Sequence, residues 1–356
     1  MDKKEIEANI QKTVLKMAME PNNTENYHEL AKYYAMDNQY EKVISVYESL
    51  LAIDPKDMQA LINIGSLWFF SKEYKKALKY FNEAMIVNPS NYLVYYNIGN
   101  TYADMKNFSK AHQFYSRALD FNSQDPEIYN AMALLYHDFE DYVESKAYYE
   151  KTLSIDPDNI TALVDLGNVS YKIFDYKSAL EYYKRVCELA PENKTVLLCI
   201  ANTYAVLKDK ENCYKYFEKA LELEGDNYKA YICYAIARSD FKDYDDAISL
   251  YQKAIETNPQ EVNAYILLGN LYSNLSRYEE AENQYREALK INKLDPSIYV
   301  LIANVFFMQG EVERSLYSYR ATVNLRPEND EYKLVFIQVL EDFIEESRKG
   351  DIIAAI

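Results

Sequence analysis

The sequence predicts an all-α protein in which antiparallel helix pairs stack into a solenoid. Three observations predict this fold: residues recur every 34 positions, small and aromatic residues recur at helical spacing within each recurrence, and turn-forming residues are scarce. The 356 residues include only 7 glycines and 9 prolines, which argues against a β fold built on many turns. We therefore expect helices along the whole chain.

The prolines mark the period of 34 most clearly. They share one phase at Pro21, Pro55, Pro89, Pro157, Pro191, Pro259 and Pro327, while Ser123, Gly225 and Lys293 occupy the remaining points. Proline cannot continue a helix, so each of these points should follow the end of one. Counted from Thr24, the chain divides into nine units: 24–57, 58–91, 92–125, 126–159, 160–193, 194–227, 228–261, 262–295 and 296–329.

The residue pattern within each unit predicts two amphipathic helices. Positions 4, 7, 8 and 11 share one stripe of the first helix, as Tyr95, Ile98, Gly99 and Tyr102 do in the third unit. Position 8 is always glycine or alanine, and position 24 in the second helix is always tyrosine or phenylalanine. We expect the small residues to let the helices approach closely while the aromatic rings interlock around them. This packing would offset the helix-propensity cost of Gly99, about 1 kcal/mol.

This arrangement of small, aromatic and proline residues resembles the pattern of the tetratricopeptide repeat family. The units cover residues 24–329, so the resemblance extends over nearly the whole chain. It implies a right-handed α-solenoid, a superhelix of stacked antiparallel helix pairs whose first helices line a concave groove.

Helical caps are expected at both ends, because the terminal faces of a solenoid must be covered. Residues 1–23 read as a half repeat with Ile6, Ile10, Val14 and Met17 on one stripe. Residues 330–356 read as a last helix from Asp330 to Ser347, followed by a short apolar tail after Gly350. That tail either docks on the cap or marks where a longer protein was cut.

Asparagine recurs on the stripe that the family resemblance assigns to the groove. It occupies position 9 in five units and position 6 in the second and third units: Asn100, Asn168, Asn202, Asn270 and Asn304, and Asn63 and Asn97. An asparagine amide both donates and accepts hydrogen bonds, so a row of them could hold the backbone of an extended peptide. The same amides could instead bond the neighbouring repeat or water, and the sequence leaves both interpretations open.

An apolar column accompanies the asparagines. Position 5 is Tyr96 in the third unit and aliphatic from the fifth unit onward, as in Leu198, Ile232 and Ile266. A contiguous apolar strip outside the core is typical of a partner site, and an extended or helical peptide with apolar anchors would suit it. Packing between adjacent first helices explains the column equally well.

Composition narrows the class of partner. A net charge of -17 would repel nucleic acid and anionic membranes. The first residues lack the apolar core of a signal peptide, and no apolar run approaches the roughly 20 residues that cross a bilayer. Four cysteines without a CxxC pair and three histidines without ligand spacing predict no metal or other cofactor. We therefore expect a cytoplasmic protein.

The leading functional interpretation is a non-catalytic scaffold that binds a protein segment along the groove. Some family members grip the carboxylate tails of chaperones with a lysine at position 5, which this chain lacks in every unit, so that specificity is not expected. The alternative is the substrate-recruiting part of a larger enzyme, such as an O-GlcNAc-transferase-like glycosyltransferase. No phosphate loop, nucleophile elbow or metal signature supports catalysis within this chain.

Overall fold

The structure is a computed structural model that describes residues 2–223 and 227–354. Every regular element in this part of the chain is an α-helix, as the sequence predicted. The chain forms two compact units, Met1–Leu189 and Ala190–Ile356. In each unit, antiparallel helix pairs stack as an α-solenoid, and each pair corresponds to one predicted repeat. Gly225 lies outside the described residues.

The first unit contains a terminal helix and five pairs. Helix α1 spans Lys3–Met19 and packs against α2. The pairs are α2 (Thr24–Met36) with α3 (Tyr40–Ile53), α4 (Met58–Phe70) with α5 (Tyr74–Val87), α6 (Tyr92–Asp104) with α7 (Phe108–Phe121), α8 (Pro126–Asp138) with α9 (Tyr142–Ile155), and α10 (Ile160–Lys172) with α11 (Tyr176–Leu189).

The second unit contains four pairs and a terminal helix. The pairs are α12 (Lys194–Val206) with α13 (Lys210–Glu222), α14 (Tyr228–Asp240) with α15 (Tyr244–Thr257), α16 (Val262–Asn274) with α17 (Tyr278–Ile291), and α18 (Pro296–Met308) with α19 (Val312–Leu325). Helix α20 spans Asp330–Ala354 and packs against α19. It continues past Ser347, where the sequence predicted its end, because Gly350 lowers helix propensity without blocking the helix as proline would.

Polar caps fix where most first helices begin. The Oδ1 atom of Asp57 accepts a hydrogen bond from the Ala60 amide at 2.8 Å, and that of Asn193 accepts one from the Val196 amide at 3.1 Å. Such bonds satisfy amides that the first helical turn leaves unpaired. The first helices therefore start directly after the proline-containing turns.

The turn within each pair contains a residue with left-handed backbone at position 15. Its φ lies between +56° and +77° in all nine repeats: Asn38, Lys72, Lys106, Glu140, Phe174, Lys208, Lys242, Ser276 and Gly310. Glycine adopts this conformation without steric cost, whereas a side chain crowds the backbone. Most repeats therefore accept some strain in order to reverse the chain within a few residues.

The core of a repeat is built around the aromatic residue at position 24. In the third repeat, Tyr115 is 2% exposed and packs with the fully buried Ala111 and Ala118. Wherever position 8 is glycine, it faces this ring, and an added Cβ would lie within 2.4–2.5 Å of a ring carbon. The prediction that small residues at position 8 permit close approach of the two helices is confirmed.

The first helices of neighbouring repeats contact each other more closely than the second helices do. This holds for α4 with α6 and α6 with α8 in the first unit, and for α12 with α14 in the second. In a curved stack of two layers, the layer with the closer neighbours lies on the inner side. The first helices therefore occupy the inner side of each unit.

Candidate functional site

In each unit the first helices carry a second face besides the stripe at positions 4, 7, 8 and 11. It consists of positions 2, 5, 6, 9, 12 and 13 of each repeat, and is called the first-helix face below. All eleven residues predicted to bind a peptide belong to it. Most of them are partly buried, whereas Ile232 is buried and Asn304 is exposed.

Four of the predicted asparagines accept a hydrogen bond from the position-24 tyrosine of their own repeat. The pairs are Tyr115–Asn100, Tyr183–Asn168, Tyr285–Asn270 and Tyr319–Asn304. The first three distances from hydroxyl oxygen to Oδ1 are 2.7, 2.8 and 2.7 Å. Burial raises the pKa of the Tyr115 and Tyr285 hydroxyls, which keeps them protonated as donors. Part of the asparagine row is thus structural.

These bonds use only the acceptor of each amide. Within residues 2–223 and 227–354, the Nδ2 groups of Asn168 and Asn270 donate to no protein atom. Both side chains are partly exposed on the first-helix face. The tyrosine therefore fixes the amide by its oxygen while leaving its two N–H donors available.

The remaining asparagines have other surroundings. Asn63 donates to the Tyr47 hydroxyl at 2.9 Å, and Asn97 is partly buried. Asn202 lies in a repeat whose position-24 residue is a phenylalanine. Burial raises the pKa of the Cys233 thiol, and the nearby Asn202 lowers it. Burial also raises the pKa of the Tyr96 hydroxyl, and the Tyr96 ring lies 6.1 Å from that of Tyr115.

The aliphatic column lies closer to the core than to solvent. Ile232 is 8% exposed and belongs to the core of the second unit. Leu198 and Ile266 are partly buried and pack against the same core. Packing accounts for Ile232, while Leu198 and Ile266 keep some surface that a ligand could contact.

Sequence reasoning missed a polar cluster at the fourth and fifth repeats. The Tyr149 hydroxyl lies 3.5 Å from Oδ2 of Asp165. Burial raises the pKa of this carboxyl, and the nearby His137 acts in the opposite direction. The sequence carries a signal for this cluster, because the fourth unit keeps the tyrosine at position 24 but has Leu134 in place of asparagine at position 9.

Comparison with known families agrees with this geometry. Models described as tetratricopeptide repeat match residues 71–135, 125–192, 197–227 and 238–305, which together make up more than half of the chain. The chain belongs to the tetratricopeptide repeat family. Its stacked helix pairs are thus those of a tetratricopeptide repeat array.

Solved structures show the same fold. A tetratricopeptide repeat protein from Parabacteroides merdae ATCC 43184 matches with a TM-score of 0.54 at 18% identity, over 70% of this chain and 99% of that protein. Yeast Tom70 matches with a TM-score of 0.52 at 15% identity, over 97% of this chain and 93% of that structure. No curated protein matches this tetratricopeptide repeat chain in sequence.

Among the helices that the structure describes, none has the length and apolar character needed to span a membrane. Nor do three or more His, Cys, Asp or Glu side chains of the described residues gather where they could hold a metal ion.

Proposed function

We propose that this tetratricopeptide repeat chain is a non-catalytic scaffold that binds an extended or helical peptide segment of a partner protein on its first-helix face. The observation that supports this most directly is the state of Asn168 and Asn270. Each amide oxygen is held by a buried tyrosine hydroxyl, and each amide nitrogen has no partner among the described residues. A donor fixed in this way loses little freedom when it binds a ligand.

A peptide fits this arrangement better than other ligands. Every residue of an extended peptide offers a backbone carbonyl that an asparagine N–H can bind without reading the side chain. The partly buried Leu198 and Ile266 add apolar surface on the same face of the second unit. The net charge of -17 favours a protein partner over nucleic acid. A cytoplasmic location stays an expectation from the sequence.

The test begins with a phage-displayed library of random 12-residue peptides selected on the full chain. Affinities of the selected peptides are then measured for the variant Asn168→Ala/Asn270→Ala. We expect a loss of about tenfold for each amide that the peptide contacts, because one hydrogen bond contributes about 0.5–1.5 kcal/mol.

The matched control replaces two exposed asparagines of the second helices, Asn82→Ala and Asn283→Ala. These changes remove the same groups outside the first-helix face and should leave affinity unchanged. Equal peptide binding by the wild type and a folded Asn168→Ala/Asn270→Ala variant would show that the two amides serve packing alone.

A further inference from the structure

The row of Asn–Tyr pairs is interrupted at the fourth repeat of the first unit. Leu134 stands at position 9, so Tyr149 has no position-9 asparagine in its own repeat, and its hydroxyl lies 3.5 Å from Oδ2 of Asp165 in the next repeat. The first repeat has the same arrangement with a neutral partner, since Asn63 donates to Tyr47 at 2.9 Å. An amide therefore satisfies this position with a shorter hydrogen bond than the carboxylate does.

Packing does not explain why a carboxylate is used here. Asp165 is partly buried, and burial raises its pKa because the charged form is desolvated. No Lys or Arg of the described residues lies within ion-pair distance of it. The nearby Asp138 differs, because Lys106 Nζ lies 2.7 Å from its Oδ2. Asp165 is thus a partly desolvated carboxylate without a Lys or Arg partner among the described residues, and the imidazole of His137 is the basic group near it.

Two further polar atoms of the fourth repeat also lack hydrogen-bond partners. Oδ1 of Asn130 and Nδ1 of His137 are shielded from solvent and make no hydrogen bond within the described residues. In the first and third repeats, the ring at position 5 lies 5.6–6.1 Å from the position-24 ring. The equivalence of the repeats therefore puts Asn130, which occupies position 5, beside Tyr149.

We propose that Asn130, Leu134, His137, Tyr149 and Asp165, the Asp165 cluster, bind a lysine or arginine side chain of the peptide partner. This inference rests on the proposed function and adds the chemistry of one anchor residue. The cation would donate to the Asp165 carboxylate and to the unpaired Asn130 oxygen. Leu134 is 51% exposed and offers an apolar surface for the methylene stem of either side chain.

The experiment repeats the peptide selection on four proteins: wild type, Asp165→Asn, Asp165→Lys and the control Asp120→Asn. Asp120 is exposed on the second helix α7, so its replacement makes the same change in net charge outside the first-helix face. We expect wild type and Asp120→Asn to select peptides with a basic residue at one aligned position. Asp165→Asn should lose that preference, and Asp165→Lys should replace it with an acidic residue.

Affinity measurements then test the contact itself. Replacing the aligned basic residue by norleucine should weaken binding to wild type by about tenfold, a typical effect for one partly desolvated charge pair. The same replacement should have little effect on binding to Asp165→Asn. Circular dichroism checks that each variant is folded.

Two different results would count against the two proposals separately. Peptides that require Asn168 but carry no aligned basic residue would overturn the Asp165 anchor and leave the scaffold function intact. A selection that yields no peptide dependent on Asn168, Asn270 or Asp165 would overturn the scaffold function, and the anchor with it.

Discussion

Gly99 packs directly against the Tyr115 ring, so closely that a Cβ at Gly99 would lie 2.5 Å from Cδ1 of the tyrosine. Tyr115 cannot move away freely, because it is 2% exposed and its hydroxyl is bonded to Asn100. The glycine that looked unsuited to a helix is therefore required by a contact with the second helix. The same glycine–ring relationship recurs at Gly65, Gly167 and Gly269.

Gly99→Ala should destabilise the protein although alanine is the better helix former. The substitution gains about 1 kcal/mol of helix propensity and loses about 1–3 kcal/mol through overpacking against Tyr115. We expect a net decrease of about 1 kcal/mol in the free energy of unfolding, measured by urea denaturation.

The fourth repeat provides the control, because Ala133 occupies the equivalent position and is fully buried beside Tyr149. Ala133→Gly should also destabilise, by about 1 kcal/mol of helix propensity. A more stable Gly99→Ala protein would show that the ring adapts without cost and that the contact does not select glycine.

We expect the asparagine and tyrosine of each Asn–Tyr pair to be energetically coupled, and Phe217 and Asn202 to lack this coupling. A double-mutant cycle of Asn168→Ala and Tyr183→Phe should give a coupling of about 1 kcal/mol in stability, the usual contribution of one hydrogen bond. The reverse change, Phe217→Tyr, supplies a hydroxyl at the position from which other repeats bond their asparagine, here Asn202. It should raise stability by about 0.5–1.5 kcal/mol.

Thermal and urea unfolding measure both effects. The matched control adds the same hydroxyl in an Asn202→Ala background, so that position 9 offers no amide. Phe217 is fully buried, so a hydroxyl without an asparagine partner should destabilise. Equal responses to Phe217→Tyr in the two backgrounds would contradict a specific Asn–Tyr bond.

The sequence predicted the helices and their pairing because packing at period 34 leaves a regular pattern of small and aromatic residues. The sequence could not predict which groups the asparagine amides bond. The partner of Asn100 lies 15 residues away on another helix, and the helical pattern of each segment says nothing about a bond between the two. The Asp165 cluster escaped for a related reason. Its members come from two repeats. Asp165 bonds Tyr149 in a repeat where position 9 is Leu134 instead of asparagine, so its role is visible only when both repeats are compared.

We expect the substitution Phe174→Gly, at the left-handed turn position of the fifth repeat, to stabilise the protein. It has a φ of +64° and is 77% exposed, so it gains little from packing while its side chain crowds the backbone. Phe174→Gly should raise the free energy of unfolding by about 1 kcal/mol, the usual cost of left-handed backbone in a residue with a side chain.

Gly310 is the matched control because it occupies the same turn position, and a Cβ there would meet nothing within 4 Å. Gly310→Ala should lower stability through backbone strain alone, by about 1 kcal/mol. Denaturation curves of the two variants should therefore shift in opposite directions, and shifts in the same direction would refute backbone strain as the cause.

We expect Asp165 to lower stability in a pH-dependent way, and Asp165→Asn to remove this effect. Burial raises the pKa of its folded form above the ordinary value of 3.8, so in that window the native state binds more protons than the unfolded state. The contribution of Asp165 should therefore lower the wild-type free energy of unfolding as pH rises from about 3.8 through the folded pKa. Asp165→Asn should exceed wild type in stability above this window and match it below.

Asp175 is the control of opposite sign. Its pKa is lowered by hydrogen bonds from Ser178 and Lys146, so its stabilising contribution is present above the unfolded value and lost as pH falls through the folded pKa. Asp175→Asn should therefore lower stability at neutral pH, while Asp165→Asn raises it. Urea unfolding curves measured at about every half unit of pH from pH 3 to pH 7 separate the two cases. A destabilising Asp165→Asn would mean that the carboxylate serves packing, which would remove the reason for assigning it to a ligand.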